Sequence, residues 1–421
     1  MKTIKTLVST FLIMTCIVTL LTACFKSPQP KIWDGTVAES FSGGNGQKDA
    51  PFEISTPAEL AYLAKSVNEG NEYQEQYFIL KNDLDLVNIS WTPIGNGNHP
   101  FMGNFDGKGH TIKNLKISQS ARYTYAYPTG KEAVYSDTGL FATIQDASIQ
   151  NLVIDGTTIV VADTNPAYLH NAGVLCGTVR TYQKSSVVSN IDIKNAKVTA
   201  EVTAKGYLQK LCVGGLVGYI YAYNNTTTTI SLVEADSSIF CADSLSSDNY
   251  MGSVLGVLHL KDATFTLENG VAYQTLTPNL YQYYYTVSDN FCGAIGSAQA
   301  SAQPFTVKNV FSKLTINKPD LEGNKYLDQA IVANAIIGDS YYHALKDDPD
   351  AVGYKFENVF GCVEHIDAKT GKKTITTELY ELPEGPDFAQ INCQGCEALP
   401  ENHGFDTNIW DISDVSNPKL K

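Results

Sequence analysis

The fold is decided by a short run of small and apolar residues, Val213-Gly-Gly-Leu-Val-Gly218, which returns along the chain in degenerate form. The weaker copies are Thr138-Gly-Leu-Phe-Ala142, Ala172-Gly-Val-Leu-Cys-Gly177, Met251-Gly-Ser-Val-Leu-Gly256, Phe291-Cys-Gly-Ala-Ile-Gly296 and Ile331-Val-Ala-Asn-Ala-Ile336. Leaving out the irregular last copy, successive first glycines lie 34, 41, 38 and 41 residues apart. A repeat of this length without intervening helices predicts stacked coils of strand rather than a sandwich.

Segments of alternating polar and apolar residues follow most of these copies, as in Ile149-Gln-Asn-Leu-Val-Ile154, Val188-Ser-Asn-Ile-Asp-Ile193 and Val307-Lys-Asn-Val-Phe311. Alternation with a period of two is typical of strands that bury one face. Glycine and alanine inside these strands suit places where neighbouring coils approach closely. An all-β solenoid is therefore predicted.

One helix is predicted ahead of the repeats, over residues 57–69. Thr56 can cap its start, Pro57 suits the first helical position, and Glu59 completes a capping box. The apolar face of this helix consists of Leu60, Leu63, Ala64 and Val67. Gly70 follows the predicted end, where glycine is favoured.

The composition excludes one class of partner. The 421 residues include 44 acidic and 30 basic side chains, so the formal charge is −14. A nucleic-acid partner is not expected, because its phosphates require clustered Lys and Arg. Hydrophobic residues make up 43% of the chain, which is enough to fill a core.

The N-terminal residues predict export and a lipid anchor. Lys2 and Lys5 precede an apolar run from Leu7 to Leu21, as in a secretory signal over residues 1–23. The run ends in Leu21-Thr22-Ala23-Cys24, which resembles the bacterial lipobox and implies acylation of Cys24. Residues 24–35 then form a lipidated tether, and we expect the protein in the bacterial cell envelope, held by its lipid and facing outward.

Several motifs resemble the GLUG-repeat family of bacterial surface proteins. They are Gly214-Gly-Leu-Val-Gly-Tyr219, Pro51-Phe-Glu-Ile-Ser-Thr-Pro-Ala-Glu-Leu60, Asn82-Asp-Leu-Asp-Leu86, Trp91-Thr-Pro-Ile-Gly95, Phe105-Asp-Gly-Lys-Gly-His-Thr-Ile112 and the ending from Trp410 to Leu420. The resemblance implies a right-handed parallel β-helix, with the predicted helix covering its N-terminal end. It also implies a surface location and adhesion, and little about activity.

The chain divides on this basis into three parts after the tether. Residues 36–120 form an N-terminal cap and the first coils of the β-helix. Residues 121–380 form GLUG-like coils with insertions, and residues 381–421 form a C-terminal loop and a closing strand.

Three carboxylates are candidates for catalysis. Some parallel β-helices are polysaccharide lyases or hydrolases that display acidic side chains along one face. Asp83 and Asp85 alternate onto one face of a strand, and Asp106 lies in a nearby glycine-rich turn. The same pattern is typical of a half-buried strand followed by a turn, and we favour this structural interpretation.

No metal or cofactor site is predicted. The sequence contains no EF-hand loop, no His-Glu-x-x-His, no Gly-x-Ser-x-Gly and no phosphate-binding glycine loop. The acidic cluster Lys346-Asp-Asp-Pro-Asp350, near His343, is interpreted as a solvated loop.

Cysteine use differs between the repeats and the C-terminal region. Cys176, Cys212 and Cys292 fall in or beside the glycine-rich strands and are predicted to be buried thiols. Cys393 and Cys396 lie in a Pro/Gly-rich stretch with His403 close by. A local disulfide is the first interpretation, and free thiols or zinc binding with His403 are the alternatives.

Alternating tyrosines are the candidate ligand-binding residues. One triplet is Tyr123, Tyr125 and Tyr127; the others are Tyr219, Tyr221, Tyr223 and Tyr281, Tyr283, Tyr285. In a strand, each triplet projects from one face. Rigid aromatic rings with a hydroxyl suit stacking on sugars or on protein partners. The alternative is that they pack insertions against the wall of the solenoid.

These patterns favour a non-enzymatic, lipid-anchored surface β-helix that binds a glycan or an extracellular protein. A polysaccharide-active enzyme using Asp83, Asp85 and Asp106 is the second hypothesis. A structural component of the envelope without a small ligand is the third.

Overall fold

The computed structural model describes residues 30–126, 132–163, 167–202, 210–241, 248–278, 288–301, 305–318, 331–334, 355–367, 369–376 and 403–421. Within these ranges the chain forms 29 strands and a single α-helix. No helix in the described part of the chain is long and apolar enough to cross a membrane.

Three sheets, built almost wholly from parallel strands, form the walls of a β-solenoid. Sheet 1 contains β1 (Lys31–Ile32), β2 (Phe52–Ile54), β3 (Tyr77–Leu80), β4 (Leu84–Asp85), β5 (Asn104–Asp106), β6 (Thr111–Lys113), β7 (Lys116–Ile117), β11 (Ser148–Asp155), β12 (Thr158–Asp163), β15 (Ser186–Val202), β18 (Thr227–Cys241), β21 (Thr264–Pro278), β24 (Thr306–Lys318), β26 (Lys355–Asp367) and β27 (Lys373–Thr376). Sheet 2 contains β10 (Phe141–Gln145), β14 (Cys176–Thr181), β17 (Val217–Tyr223), β20 (Leu255–Lys261) and β23 (Ile295–Ser301). Sheet 3 contains β8 (Ala121–Ala126), β9 (Glu132–Thr138), β13 (Leu169–Gly173), β16 (Lys210–Gly214), β19 (Asp248–Gly252), β22 (Ser288–Cys292) and β25 (Ile331–Asn334). A separate hairpin pairs β28 (Trp410–Asp411) with β29 (Lys419–Leu420).

The repeat predicted from the sequence is the coil of the solenoid. From β9 to β24, each coil adds to sheet 3, then to sheet 2, then to sheet 1, with one strand each time except that the first coil adds both β11 and β12 to sheet 1. Gly173 of β13 lies opposite Gly214 of β16, which lies opposite Gly252 of β19. In the next coil, Cys292 lies opposite Gly252. The first glycine of that copy, Gly293, therefore lies one residue beyond the position that glycine holds in the earlier coils. The predicted all-β parallel β-helix is confirmed.

The helix α1 (Pro57–Asn68) also forms as predicted, one residue shorter. The Thr56 hydroxyl accepts a hydrogen bond from the Glu59 backbone N–H, and a Glu59 carboxylate oxygen accepts one from the Thr56 N–H at 2.9 Å. Its buried side chains Leu60, Leu63 and Val67 join the hydrophobic core that the inward faces of the sheets share.

A column of left-handed residues marks the same corner of sheet 1 in successive coils. It consists of Asn151, Asn190, Leu232, Asn269, Asn309 and Asn358, with φ between 50° and 55°. The amide of Asn190 donates to Asn151 Oδ1 at 2.8 Å, and that of Asn309 donates to Asn269 Oδ1 at 3.1 Å. Leu232 interrupts this ladder, although it keeps the left-handed backbone that suits asparagine.

The C-terminal residues 403–421, called the closing segment below, pack against the outside of sheet 1. Phe405 lies 5.6 Å from Phe360 and stacks on Trp410 at 4.3 Å between ring centroids. The Tyr273 hydroxyl donates to the Pro418 carbonyl at 2.8 Å. Three consecutive strands of sheet 1 thus contribute to a second, smaller hydrophobic cluster beneath this segment.

Candidate functional site

Sheets 2 and 3 fold against each other on their outer sides. A Cβ placed on Gly177 of β14 would lie 2.6 Å from the Thr138 backbone nitrogen in β9. One coil further on, a Cβ on Gly218 would lie 2.5 Å from the Ala172 nitrogen in β13. Because only glycine allows this approach, the glycine repeat closes the two sheets into an external corner.

Two facing columns of side chains fill this corner. The sheet 3 column contains Asp137, Asn171, Cys212 and Tyr250. The sheet 2 column contains Thr143, Thr178, Tyr219 and Val257. In the first two coils the residues of both columns are polar, and this part of the corner is called the polar level. In the next two coils the residues are mostly apolar or aromatic, and this part is called the apolar level.

At the polar level, every named side chain shares in one buried network. Asp137 accepts from the Thr143 hydroxyl at 2.7 Å and from the Asn171 amide at 2.9 Å. The same Asn171 amide also donates to Thr178 Oγ1 at 3.0 Å. Burial raises the pKa of Asp137, against the opposing effects of the Thr143 hydrogen bond and the nearby Arg180 charge.

Arg180 and Tyr123 cover this network. The Arg180 guanidinium donates to the Gly97 carbonyl at 2.7 Å and to the Tyr123 hydroxyl at 2.9 Å. Burial, followed by the charge of Asp137, raises the pKa of Tyr123 well above its ordinary value. Tyr123 also stacks on Tyr135 at 5.4 Å. Tyr123, the first residue of the first tyrosine triplet, is therefore a packing residue rather than an exposed one, and it holds the β8–β9 hairpin against the solenoid.

The apolar level is a small hydrophobic cluster outside the main core. It contains Leu169, Cys212, Tyr250 and Val257, with Tyr135 and Tyr219 packed at its edge. The Lys210 ammonium lies 5.8 Å from the centroid of the Tyr250 ring. At this level, contacts between aromatic and aliphatic side chains join sheets 2 and 3, whereas hydrogen bonds join them at the polar level.

Sheet 2 carries an aromatic surface beside this corner, called the aromatic face below and formed by Tyr182, Tyr219, Tyr221, Tyr223 and His259. The three tyrosines of β17 alternate with the buried residues Ile220 and Ala222 and are half-buried, so the predicted projection of this triplet from one side is confirmed. Tyr221 lies 4.2 Å from Tyr223 and 4.8 Å from His259 between ring centroids. Tyr182 lies 5.6 Å from Tyr223.

The contacts of these rings hold them in fixed positions. Lys261 places its ammonium 5.9 Å from the Tyr223 centroid at the exposed end of the row. Burial raises the pKa of Tyr219 well above its ordinary value, so this hydroxyl stays neutral. The arrangement is a row of hydroxylated rings in mutual contact that ends in a cation.

The candidate carboxylates hold turns in the first coils. Asp83 Oδ1 accepts from the Thr111 N–H at 3.0 Å and lies 3.1 Å from His110 Nδ1. Asp85 Oδ1 accepts from the Asn114 amide at 2.7 Å in the next coil. These contacts provide the structural role that the sequence pattern favours.

Asp106 has the same kind of role with an added ion pair. It accepts from the Asn151 amide at 2.9 Å and pairs with the Lys108 ammonium at 2.8 Å. Burial opposes ionisation of Asp106, but the hydrogen bonds from Lys108 and Asn151 outweigh it and lower its pKa. Catalysis by Asp83, Asp85 and Asp106 stays a hypothesis.

Three cysteines have a described state in the structure, and two of them carry the prediction of a buried thiol. Cys176 and Cys212 are buried thiols, as predicted, and Cys212 lies in the external corner rather than in the main core. Cys362 is disulfide-bonded. Cys24, Tyr281, Tyr283, Tyr285, Cys393, Cys396 and the side chain of Cys292 lie outside the described residues.

Sequence reasoning missed Tyr182, His259, Arg180 and Asp137. The repeat offsets contain a signal for two of them. Tyr182 lies 41 residues before Tyr223 and His259 lies 38 residues after Tyr221, and both spacings equal coil lengths. Asp137 and Arg180 gave no such signal, because neither lies in a motif.

No family model matches the chain. It is 30% identical to Halomucin of Haloquadratum walsbyi over 182 residues. This match covers 41% of this chain and 2% of Halomucin. It is 27% identical to a "Putative Gly-rich membrane protein" of Evansella cellulosilytica over 161 residues. This match covers 37% of this chain and 16% of that protein. The chain thus spans a small part of the curated relatives that it matches.

A solved structure matches nearly the whole chain. It is described as that of "a putative immunoglobulin A1 protease from Bacteroides ovatus". The TM-score is 0.57 at 17% identity, and the match covers 90% of this chain and 95% of the other. The shared property is the fold.

Proposed function

We propose that the chain is a lipid-anchored protein of the bacterial cell surface that binds a glycan, without cleaving it, through the aromatic face. The observation that carries this proposal is the partly exposed row Tyr219, Tyr221 and Tyr223, in which Tyr221 and Tyr223 pack against Tyr182 and His259. Sugar rings present apolar C–H faces that stack on such rings and hydroxyls that bond to their edges.

Rigidity is the reason to favour this surface. The ring contacts of 4.2 to 5.6 Å hold Tyr221 against Tyr223 and Tyr182 against Tyr223 before any ligand arrives. Binding then costs little side-chain entropy, which favours affinity from a small contact area. The formal charge of −14 further favours a neutral glycan over an acidic one.

The location rests on other support. The lipobox-like Leu21-Thr22-Ala23-Cys24 predicts acylation of Cys24, and one curated relative is named as a membrane protein. Together they agree with an anchor in the cell envelope.

The test is binding of the full chain, kept in a detergent without a sugar headgroup, to an array of neutral polysaccharides. We expect saturable binding, intact glycans after incubation, and a loss of about tenfold or more in the double variant Tyr221→Ala/Tyr223→Ala. Tyr62→Ala removes a half-buried tyrosine from α1, far from β17 in the fold, and should leave binding unchanged.

Three results would overturn the proposal. They are shortened glycans, equal loss in the Tyr62→Ala control, and no binding to any glycan of the array. A further arm incubates the chain with a glycoprotein and analyses it by gel, because a cut polypeptide would point to a protease instead.

A further inference from the structure

A cleft of about 450 Å³ opens at the turns that connect sheet 2 to sheet 1 in the first coils. This volume lies within the usual range for small-ligand sites, roughly 300–1,000 Å³. The side chains that matter for its chemistry are Glu75, Tyr77, Asn104, Asp146, Gln183 and Lys184. None of them belongs to the aromatic face, although Gln183 directly follows Tyr182.

Asp146 is the central group of this cleft. Its Oδ1 accepts from the backbone N–H groups of Tyr182, Gln183 and Lys184 at 2.7, 3.1 and 3.3 Å. It therefore fixes both the wall of the cleft and the backbone of a residue in the aromatic face. Its Oδ2 is buried and has no hydrogen-bond partner, which is unusual for a buried carboxylate oxygen.

The rim is closed by an ion pair between Lys184 and Glu75. Glu75 has a φ of 61°, a left-handed conformation that non-glycine residues adopt at a cost. The contact with Lys184 thus joins a strained loop before β3 to the turn before β15.

We infer that this cleft binds one sugar residue of a neutral glycan, with Asp146 as the principal acceptor. The lining offers amide donors and acceptors from Asn104 and Gln183 and one aromatic ring from Tyr77. The lining carries two carboxylates, from Glu75 and Asp146, and one ammonium, from Lys184, so its net negative charge disfavours an anionic ligand. The Asp146 carboxylate must turn to bring the buried Oδ2 to the cleft, and a hydrogen bond from a sugar hydroxyl would then satisfy the oxygen that lacks a partner.

This inference rests on the proposed function, because Asp146 joins the cleft to Tyr182 and so to the aromatic face. A glycan lying on the face would place one residue in the cleft. The two sites can nevertheless be tested separately, since a free monosaccharide can occupy the cleft without the aromatic face.

The experiment is saturation-transfer NMR on the full chain in the same detergent, with free glucose, galactose, mannose and N-acetylglucosamine as probes. Glucuronic acid is the anionic comparison. We expect saturation of at least one neutral sugar, with a dissociation constant raised about tenfold or more by Asp146→Asn, which keeps one acceptor oxygen. Gln183→Ala, an exposed change that leaves the fold intact, should weaken the same signal.

The chain offers a paired control in Asp262→Asn. Asp262 occupies the equivalent turn between β20 and β21, with a φ of 53° against 49° for Asp146, and lies outside the cleft. Its replacement should leave the sugar signal within twofold of the parent. An equal loss in both aspartate variants would mean that turn geometry, not ligand contact, is measured, and would overturn the assignment.

The remaining outcomes distinguish the two proposals. No saturation of any neutral sugar, while polysaccharides still bind through Tyr221, overturns the cleft site alone. Saturation that survives both Asp146→Asn and Gln183→Ala also overturns it. Sugar saturation that depends on Asp146, with no polysaccharide binding at the aromatic face, overturns the proposed function and leaves the cleft site supported.

Discussion

The polar level and the apolar level of the external corner occupy the same backbone. Asp137 and Asn171 hold the positions in sheet 3 that Cys212 and Tyr250, respectively, hold two coils later. The distance between the sheets stays the same, because the glycines set it in both places. The difference teaches that the solenoid fixes the spacing of facing side chains, while each coil selects its own chemistry.

The two levels nevertheless depend on different physics. A buried hydrogen-bond network stabilises only if every member keeps its partners, since an orphaned group loses its hydration as well. A hydrophobic cluster tolerates trimming in proportion to the volume removed. The polar level should therefore respond more sharply to small changes than the apolar level.

Replacing the glycine that brings the sheets together would break both levels at once. In Gly218→Ala the new Cβ meets backbone atoms at 2.5 Å, which cannot move without separating the sheets. We expect a loss of about 3 kcal/mol in the free energy of unfolding. Gly270→Ala, whose Cβ would meet its nearest neighbour at 3.5 Å, should change it by less than about 1 kcal/mol in urea titrations followed by circular dichroism.

Trimming one residue from each level measures the contrast directly. Asp137→Ala removes the acceptor of Thr143 and Asn171, and we expect a loss of about 2 kcal/mol. Cys212→Ala removes one sulfur atom from the apolar level, and we expect about 1 kcal/mol. Equal losses in these two unfolding measurements would remove the distinction between the levels.

The pH dependence of the polar level should differ from that of the apolar level. The folded-state pKa of Asp137 is raised above its ordinary 3.8, so folding disfavours its ionised form. This group therefore imposes no penalty below pH 3.8, and its penalty grows as pH rises through the folded-state pKa.

Asp137→Asn removes this titration. The variant should gain stability relative to the parent as pH rises from below 3.8 toward neutrality. Urea unfolding of parent, Asp137→Asn and Cys212→Ala at successive pH values would show it. A constant difference between parent and Asp137→Asn would contradict the raised pKa.

The smallest effect belongs to the same contrast in the asparagine column. Leu232 is an apolar step in a polar ladder and holds a φ of 52° that costs a leucine energy. Leu232→Asn should restore the amide bonds between Asn190 and Asn269 and raise the unfolding free energy by about 0.5–1 kcal/mol. Leu232→Ala keeps the strain without the bonds, so a gain there would point to a different cause.

Local chemistry explains what the sequence could predict. The glycine repeat predicted the coil because a close approach of backbones excludes every other residue. The capping box at Thr56 and Glu59 predicted α1, since both partners lie within one turn. Alternation placed Tyr219, Tyr221 and Tyr223 on one side of a strand for the same local reason.

Long-range contacts explain what the sequence could not predict. Arg180 bonds to Tyr123 and Gly97, which lie 57 and 83 residues away along the chain. The contact of sheets 2 and 3 on their outer sides depends on how the coil bends, which alternation does not encode. The polar cleft likewise joins the loop of Glu75 to the turn of Lys184, 109 residues apart.

The closing segment gives the molecule a mechanical property. An array of coils that touch only their neighbours frays from its last coil, one unit at a time. Here Trp410 and Phe405 lie across strands β21, β24 and β26, and Pro418 bonds to Tyr273, 145 residues earlier. Force applied at the C-terminal end must therefore break the contacts of the closing segment with β21, β24 and β26 together before the last coil can unfold by itself.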